Sequence, residues 1–341
     1  MKTNILYPQQ DKNAVKTAAE LILQGEVVGM PTETVYGLAA NALDGSAVAK
    51  IFHAKGRPQD NPLIVHIADF DQIYELCPAV PPQAKMLAEA FWPGPLTMIV
   101  PKNSRIPDEV SCGLDTVGIR LPAHPLARDL IRVAGVPLAA PSANTSGRPS
   151  TTTAEHVLRD MEGKIPAILD GGPCGVGVES TVVTLALDPP RLLRPGGVTL
   201  EQLRRVLGKV EVDRALFEAI GEDARVSAPG MKYRHYAPKA PVTVVCGNPQ
   251  KTAEYIKQHV GNADGVLCFD EYRACFPGCV VECFGAQTDL AAQAREVFDR
   301  LRAFDDADVR WIWAQCPSDE GLGLAIANRI KKAAGFAVVE V

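Results

Sequence analysis

The chain carries none of the short motifs that usually announce a chemistry. There is no G-x-x-x-x-G-K-[ST] loop and no G-x-G-x-x-G, so neither a P-loop nor a dinucleotide fingerprint is available. H-E-x-x-H and G-x-S-x-G are absent as well, which removes the zinc-peptidase helix and the hydrolase nucleophile turn. No apolar run approaches the ~18 residues of a membrane span, and the opening MKTNILYPQQDKNAVK has no hydrophobic signal core. A cytoplasmic protein with no membrane partner is expected. Basic residues are fewer than acidic ones, 35 against 40, and the net charge of −5 argues against a protein that coats nucleic acid. The nine cysteines are odd in number and fit a reducing compartment better than a disulfide framework. Cys268, Cys275, Cys279 and Cys283 lie close in sequence but form no Cys-x-x-Cys pair, so they read as small core residues beside a loop.

What is present is an ordinary globular composition, 47% hydrophobic and 22% charged, over 341 residues, enough for about two domains. Residues 13–24 have helical periodicity and end at Gly25. Strand patterns at 27–30, 63–67, 96–100, 117–121, 136–139, around Ile168, 181–185 and 191–193 are interleaved with helical ones at 46–55, 82–92, 125–134, 153–161 and 200–207. Several strand-to-strand steps are too short for a crossover, which predicts an α/β domain on a mixed sheet over residues 1–209. After Pro241, strands at 242–246, 265–269, 279–284, 309–314 and 336–341 alternate with helices at 250–259, 290–304 and 323–333. That rhythm predicts a small open α/β sheet of doubly wound type over 241–341. Residues 210–240 between them read as a linker. Its segment SAPGMKYRHYAP holds two tyrosines, a methionine and a histidine where a flexible linker has glycine and serine, so it should pack against something.

Polar loops follow the strands of the first domain. PTETVYGL carries Thr34 and Tyr36, and HAKGRPQDNPLIVHI carries Lys55, Arg57, Asn61 and His66. DTVGIRLPAH carries Thr116 and Arg120, and APSANTSGRPST carries Ser142, Asn144 and Ser150. GVGVESTVV carries Glu179 and Ser180, and LLRPGG carries Arg194. In open α/β sheets, ligands sit where strands end and loops begin. Cationic side chains neutralise phosphate charge, and hydroxyls, amides and backbone N–H groups complete its coordination. The inventory suits an anionic, phosphate-bearing small molecule. Each residue also has a purely structural reading. Lys55 and Arg57 suit a helix C-terminus, and Ser142 and Asn144 a turn or N-cap. His66 suits a hydrogen-bonded core position, and Arg120 and Arg194 suit ion pairs on a sheet face. The conjunction is what favours a ligand.

PTETVYGL, the K-x-R of Lys55-Gly56-Arg57 and the S-x-N of Ser142-Ala143-Asn144 resemble the YrdC-like family of threonylcarbamoyl-AMP synthases. ESTVV, LLRPGG and SAPGMKYRHYAP extend the likeness to the longer, two-domain form of that family. The motifs span residues 25–238, and the C-terminal domain follows by position and rhythm. The resemblance implies a twisted, mixed-sheet YrdC-like domain and a smaller Rossmann-like one. It implies an enzyme, a nucleotidyltransferase that condenses L-threonine, bicarbonate or CO2, and ATP into threonylcarbamoyl-AMP and pyrophosphate. A separate transferase then modifies tRNA, which this chain meets only indirectly. Mg2+ would accompany ATP, with no metal ligand from protein side chains. Thr34, His66, Arg120 and Ser180 would hold threonine, Arg120 through the carboxylate. Arg57, Asn61, Thr116, Ser142, Asn144, Ser150, Arg194 and Tyr236 would hold ATP. Lys55 and Arg57 would supply catalytic charge near the leaving group. Tyr233, His235 and Tyr236 would cover the site. One departure is that the family often has an aspartate after STVV, where this chain has Thr184. Two other readings stay open: a carbamoyl-phosphate-using enzyme, and an RNA-binding module whose salt dependence would be steep.

Overall fold

The computed structural model describes residues 2–218 and 235–341. Residues 227–234 of the aromatic linker segment, Tyr233 among them, lie outside the described residues. In chain order the strands are β1 (Asn4–Leu6), β2 (Val28–Met30), β3 (Gly37–Asn41), β4 (Ile64–His66), β5 (Leu96–Pro101) and β6 (Thr116–Arg120). They continue with β7 (Leu138–Ala139), β8 (Ala167–Leu169), β9 (Thr181–Thr184), β10 (Arg191–Arg194) and β11 (Glu211–Val212). The second set is β12 (Val242–Cys246), β13 (Gly265–Cys268), β14 (Val280–Cys283), β15 (Ile312–Gln315) and β16 (Val338–Glu340).

The first set forms one mixed sheet in the order β1-β8-β2-β3-β7-β4-β6-β5-β9-β10-β11. The second forms a separate sheet, β14-β13-β15-β12-β16, in which every pairing is parallel. Both agree with the expected α/β class. Strands β1, β3 and β11 are absent from the expectation. Two are very short, and GLAAN in β3 is rich in poor strand formers that only their neighbours recruit. Cys268 and Cys283 meet across β13 and β14 with their sulfurs 3.9 Å apart. Among the described residues no helix is long and apolar enough to cross a membrane.

Side-chain alternation along the large sheet decides where a site can form. Val65, Val100, Val117, Ile119 and Leu121 pack on one face with helix Gly45–Lys55. Leu96, Met98, Val183 and Leu192 continue that layer with helices Pro82–Phe91 and Leu200–Leu207. On the opposite face, helices Ala14–Leu23 and Pro125–Ala134 cover Val28, Met30, Ala39 and Leu138. Beyond β7 that face changes character. It presents His66, Thr97, Gly118, Arg120 and Thr184, with Ile99, Val182 and Leu193 as a small apolar patch.

The small domain docks at this polar half. The apolar cluster around its helices Leu290–Ala307 and Leu322–Ala333 takes in Val35 and Val178 from the large domain, and Tyr236. The approach is close. A Cβ at Gly177 would overlap the Ala294 carbonyl oxygen and the Arg295 Cα, so only glycine passes under the helix. Two buried arginines cross the junction. Arg302 donates to Asp160 at 3.1 and 3.0 Å and to the carbonyls of Pro149 and Ser150. Arg329, 0% exposed, sits 2.9 Å from Glu179 and donates to the Pro195 carbonyl. Buried ions survive only when paired and fully hydrogen-bonded, and both arginines meet that condition. Arg159 and Asp306 pair across the same junction on its exposed rim.

The difference in burial sets a prediction. Asp160→Ala leaves the Arg302 charge without its carboxylate and should cost about 3–5 kcal/mol of stability. Asp306→Ala on the rim should cost less than about 1 kcal/mol. Urea unfolding of the two variants checks this; equal losses would contradict the assignment of Arg302 to a dry interface.

Candidate active site

The K-x-R turn is built by the helix before it. Asp44 caps helix Gly45–Lys55 by accepting from the amides of Ser46 and Ala47, and Gly56 ends it with a left-handed φ of 62°. The stop sends the two cations in different directions. Lys55 turns inward, where its Nζ donates to the carbonyls of Ser142 and, at 2.6 Å, Asn144. Desolvation, followed by the nearby Arg57 charge, pulls the Lys55 pKa well below its ordinary value. Arg57 stacks over the Phe52 ring at 5.5 Å, donates to the Asn61 carbonyl at 2.6 Å, and reaches the cavity.

The APSANTSGRPST stretch largely satisfies its own polar groups. Ser142 bridges Gly37, and the Ala143 N–H donates to the Tyr36 carbonyl at 2.8 Å. The Asn144 amide donates to the carbonyls of Thr145 and Arg148 at 2.8 and 2.9 Å. The Ser142 hydroxyl donates to Asn144 Oδ1, and the Ser150 hydroxyl to Glu179. The surplus of donors evident in the sequence therefore serves first to shape the loop. Ser142 and Asn144 nonetheless face the cavity.

The floor comes from strand register. His66 lies beside Arg120, and Arg120 beside Thr97. Gly118 keeps the floor low, since a Cβ there would come 3.1 Å from Thr97 Cγ2. Arg120 donates from Nη1 to Thr34 Oγ1 at 2.9 Å, and its Nη2 lies 2.6 Å from Glu33 Oε1. Burial raises the Glu33 pKa, but the Arg120 charge and hydrogen bonding outweigh it and hold the carboxyl below its usual value. Arg120 already has a carboxylate, so a substrate carboxylate would share its fork with Glu33 rather than find it free. Desolvation and then the Arg120 charge push His66 down to about 3, so its ring is neutral. Its Nδ1 faces the Ile64 carbonyl at 3.2 Å, which fits a proton there and leaves Nε2 as an acceptor. A register shift between Leu192 and Arg194 turns Arg194 toward the same face. Its guanidinium donates to the Ser180 carbonyl at 3.0 Å and to Ser180 Oγ at 3.1 Å.

One cavity, with about 70 Å³ of free internal volume, joins these groups. Thr34, His66, Arg120, Ser180, Arg57, Ser142, Asn144, Arg194 and Tyr236, all expected from the sequence, line it, together with Thr32, Glu179 and His235. Lys55, Asn61, Thr116 and Ser150 are not on its wall. Lys55 and Ser150 are engaged behind it, with loop carbonyls and with Glu179. Thr116 shares a face of β6 with Arg120 but stands at the far end of the strand. Asn61 is buried with its side-chain amide making no hydrogen bond. The sequence reading assigned no role to Glu33, Thr97, Arg302 or Arg329. For Arg329 a signal existed: an arginine within the apolar helix GLGLAIANRI. The two carboxylates on or beside the wall, Glu33 and Glu179, each face an arginine. Among the described residues no group of three or more His, Cys, Asp or Glu could hold a metal ion.

Residues 20–196 match the sequence profile of the Sua5–YciO–YrdC family, described as "Telomere recombination". The chain belongs to this family. Residues 198–335 match a second profile, "Threonylcarbamoyl-AMP synthase, C-terminal domain", so both parts are accounted for. The threonylcarbamoyl-AMP synthase of Bacillus subtilis is 48% identical over 328 residues, covering 95% of this chain and 94% of its own. That of Pyrococcus abyssi is 46% identical over 333 residues, covering 96% of each. The crystal structure of P. abyssi Sua5 complexed with L-threonine superposes with a TM-score of 0.93 at 43% identity, over 100% of both chains.

The neutral His66 gives a testable pH dependence. Its folded pKa of about 3 lies below the ordinary value of 6.5, so the unfolded chain binds the extra proton first as the pH falls. Its contribution to stability is complete above pH 6.5 and is lost progressively toward pH 3. At two pH units below the unfolded value the loss should be about 2–3 kcal/mol. His66→Gln should remove that part of the acid sensitivity; an unchanged slope in urea unfolding would show that His66 is not the group concerned.

Proposed function

We infer that this chain is a threonylcarbamoyl-AMP synthase, converting L-threonine, bicarbonate or CO2, and ATP into threonylcarbamoyl-AMP and pyrophosphate. One coincidence carries the reading. A chain that follows two proteins of that name over nearly its full length brings Thr34, His66, Arg120 and Ser180 into one cavity with Arg57, Ser142, Asn144 and Arg194. In this reading residues 1–209 are the catalytic domain, 210–240 the linker that covers the site, and 241–341 the Rossmann-like domain.

The threonine side is the Arg120–Glu33 pair with Thr34, His66 and Ser180. Arg120 takes the carboxylate through its planar fork, and neutral His66 offers Nε2 as an acceptor for the substrate's hydroxyl or amine. Bicarbonate yields CO2 and hydroxide, and the hydroxide takes the ammonium proton. The neutral amine adds to CO2, forming an N–C bond, and the proton released from nitrogen passes to water, leaving a carbamate. A carbamate oxygen attacks the α-phosphorus of ATP, the bond to the β-phosphate oxygen breaks, and pyrophosphate leaves in line. Arg57 and Arg194 meet the charge that gathers on the phosphoryl oxygens, with Ser142 and Asn144 orienting the nucleotide. Lys55 acts at one remove, by holding the Ser142 and Asn144 carbonyls. Mg2+ bound with ATP would supply further neutralising charge at its phosphates, beside Arg57 and Arg194.

A carbamate is labile in water, which gives the cover a purpose. Tyr236 and His235 line the cavity, and the Ala237 N–H donates to the Gly147 carbonyl at 2.8 Å. The remaining volume of about 70 Å³ is well short of the ~300 Å³ at which ligand pockets begin, so ATP enters only when this segment moves. The product then passes to a transferase that acts on tRNA, and the chain works in the cytoplasm. No observation of its own favours the carbamoyl-phosphate or RNA-binding alternative.

Purified protein with ATP, Mg2+, bicarbonate and radiolabelled threonine should form threonylcarbamoyl-AMP and pyrophosphate only when threonine and bicarbonate are both present. Arg57→Ala and Ser142→Ala should each lower kcat/KM for ATP by about tenfold or more. Tyr236→Ala should slow threonylcarbamoyl-AMP and pyrophosphate formation together, because carbamate lost to water never reaches ATP. A wild-type protein that binds ATP but makes no such product refutes the reading.

A further inference from the structure

Glu179 is the meeting point of three parts of the chain. It belongs to the ESTVV loop of the large domain and is 6% exposed. Its Oε2 accepts from Arg329 Nε at 2.9 Å, and its Oε1 accepts from the Ser150 hydroxyl. Tyr236 lies close enough that the Glu179 charge adds to burial in raising its pKa. Burial raises the Glu179 pKa, but the charges of Arg329 and then Arg194 outweigh it and hold the group ionised. Arg329 makes two further contacts. It donates to the carbonyl of Pro195, next to Arg194, and its guanidinium lies over the Tyr236 ring at 5.8 Å. Tyr236 also packs against Phe298, with ring centroids 5.1 Å apart.

We propose that Arg329 is a positioning residue for the nucleotide half of the reaction. From the C-terminal domain it fixes, through Glu179 and Pro195, the Ser150 loop, the Arg194 turn and the Tyr236 cover. The inference rests on the synthase reading above and extends it to the C-terminal domain. Outside its own helix Arg329 contacts the Glu179 carboxylate and, at 3.5 Å, the Glu179 carbonyl, the Pro195 carbonyl and the Tyr236 ring. On the threonine side Arg120 is fixed by Glu33 and Thr34, and Ser180 by Thr97, with Arg194 as a contact shared by the two halves. Arg120, which would take the threonine carboxylate, is thus braced without Arg329. Arg329 is not itself a wall residue of the cavity. Its effect passes through side chains that are.

The test separates the two halves. ATP binding and L-threonine binding, each alone, are measured by calorimetry on the full chain, and kcat/KM for ATP by pyrophosphate release. Arg329→Gln should lower kcat/KM for ATP by about ten- to a hundredfold, the scale of a small misplacement, and weaken ATP binding. Its affinity for threonine alone should stay within about twofold of wild type. Arg159→Ala, which removes only a rim contact of the same junction, should leave all three quantities within about twofold. Arg329→Lys keeps the charge but loses the fork, so it should fold as wild type and show a smaller loss of the same kind. That variant carries the test should Arg329→Gln fail to fold. Loss of ATP and threonine affinity in parallel, or unchanged ATP parameters in a folded variant, overturns the proposal. Should the wild type bind both ligands yet make no threonylcarbamoyl-AMP, the synthase reading falls while the binding split still decides the role of Arg329.

Discussion

A carboxylate buried between two domains organises this molecule. Glu179 lies where water cannot solvate it, so its charge survives only because Arg329 and Arg194 surround it. Those arginines come from different domains, and the loops that carry or contact them are the loops of the cavity. Removing the small domain would do more than expose an apolar helix face. It would leave a negative charge without its partner beside the Ser150 loop. The apolar contacts point the same way, since Val35 and Val178 belong to the small domain's cluster rather than to the core of their own domain.

The cavity has its place because the large sheet is dressed unevenly. One face is covered along its length by helices, and the other only as far as β7. Past that strand the alternation continues, but the exposed positions hold histidine, arginine, threonine and glycine in place of leucine and valine. A sheet face left bare in water is a liability unless something covers it, and here the cover is built from loops, two linker residues and the docked domain. The same geometry explains why the described state leaves little free volume.

Much of this was legible in the primary structure. Helix Leu200–Leu207 falls where the periodicity puts it, and the strands flanking the site lie within a residue or two of their patterns. The strand-end loops do converge, because α/β sheets bring such loops together whatever their sequence distance. The losses are instructive. Lys55 reads as a cation for phosphate, yet it braces carbonyls, since a residue at the end of a helix can point either way and sequence does not say which. Arg120 suits an ion pair on a sheet face, but that its partner is Glu33 shows only in the structure. Ser150 is turned toward Glu179. In each case the competing partner lies far away in the chain or across a turn whose geometry is set by packing.

The order of residues alone determined most of the segments that become strands and helices, where the two sheets divide, and which loops carry polar side chains, because these follow from periodicity and local stop signals; β3 is an exception that its neighbours in the sheet recruit. The tertiary structure alone decided which of those polar groups reach the cavity and which are used to hold it. That choice depends on pairings such as Arg329 with Glu179 and Arg302 with Asp160, separated by well over a hundred residues, and no local pattern encodes a contact made at that distance.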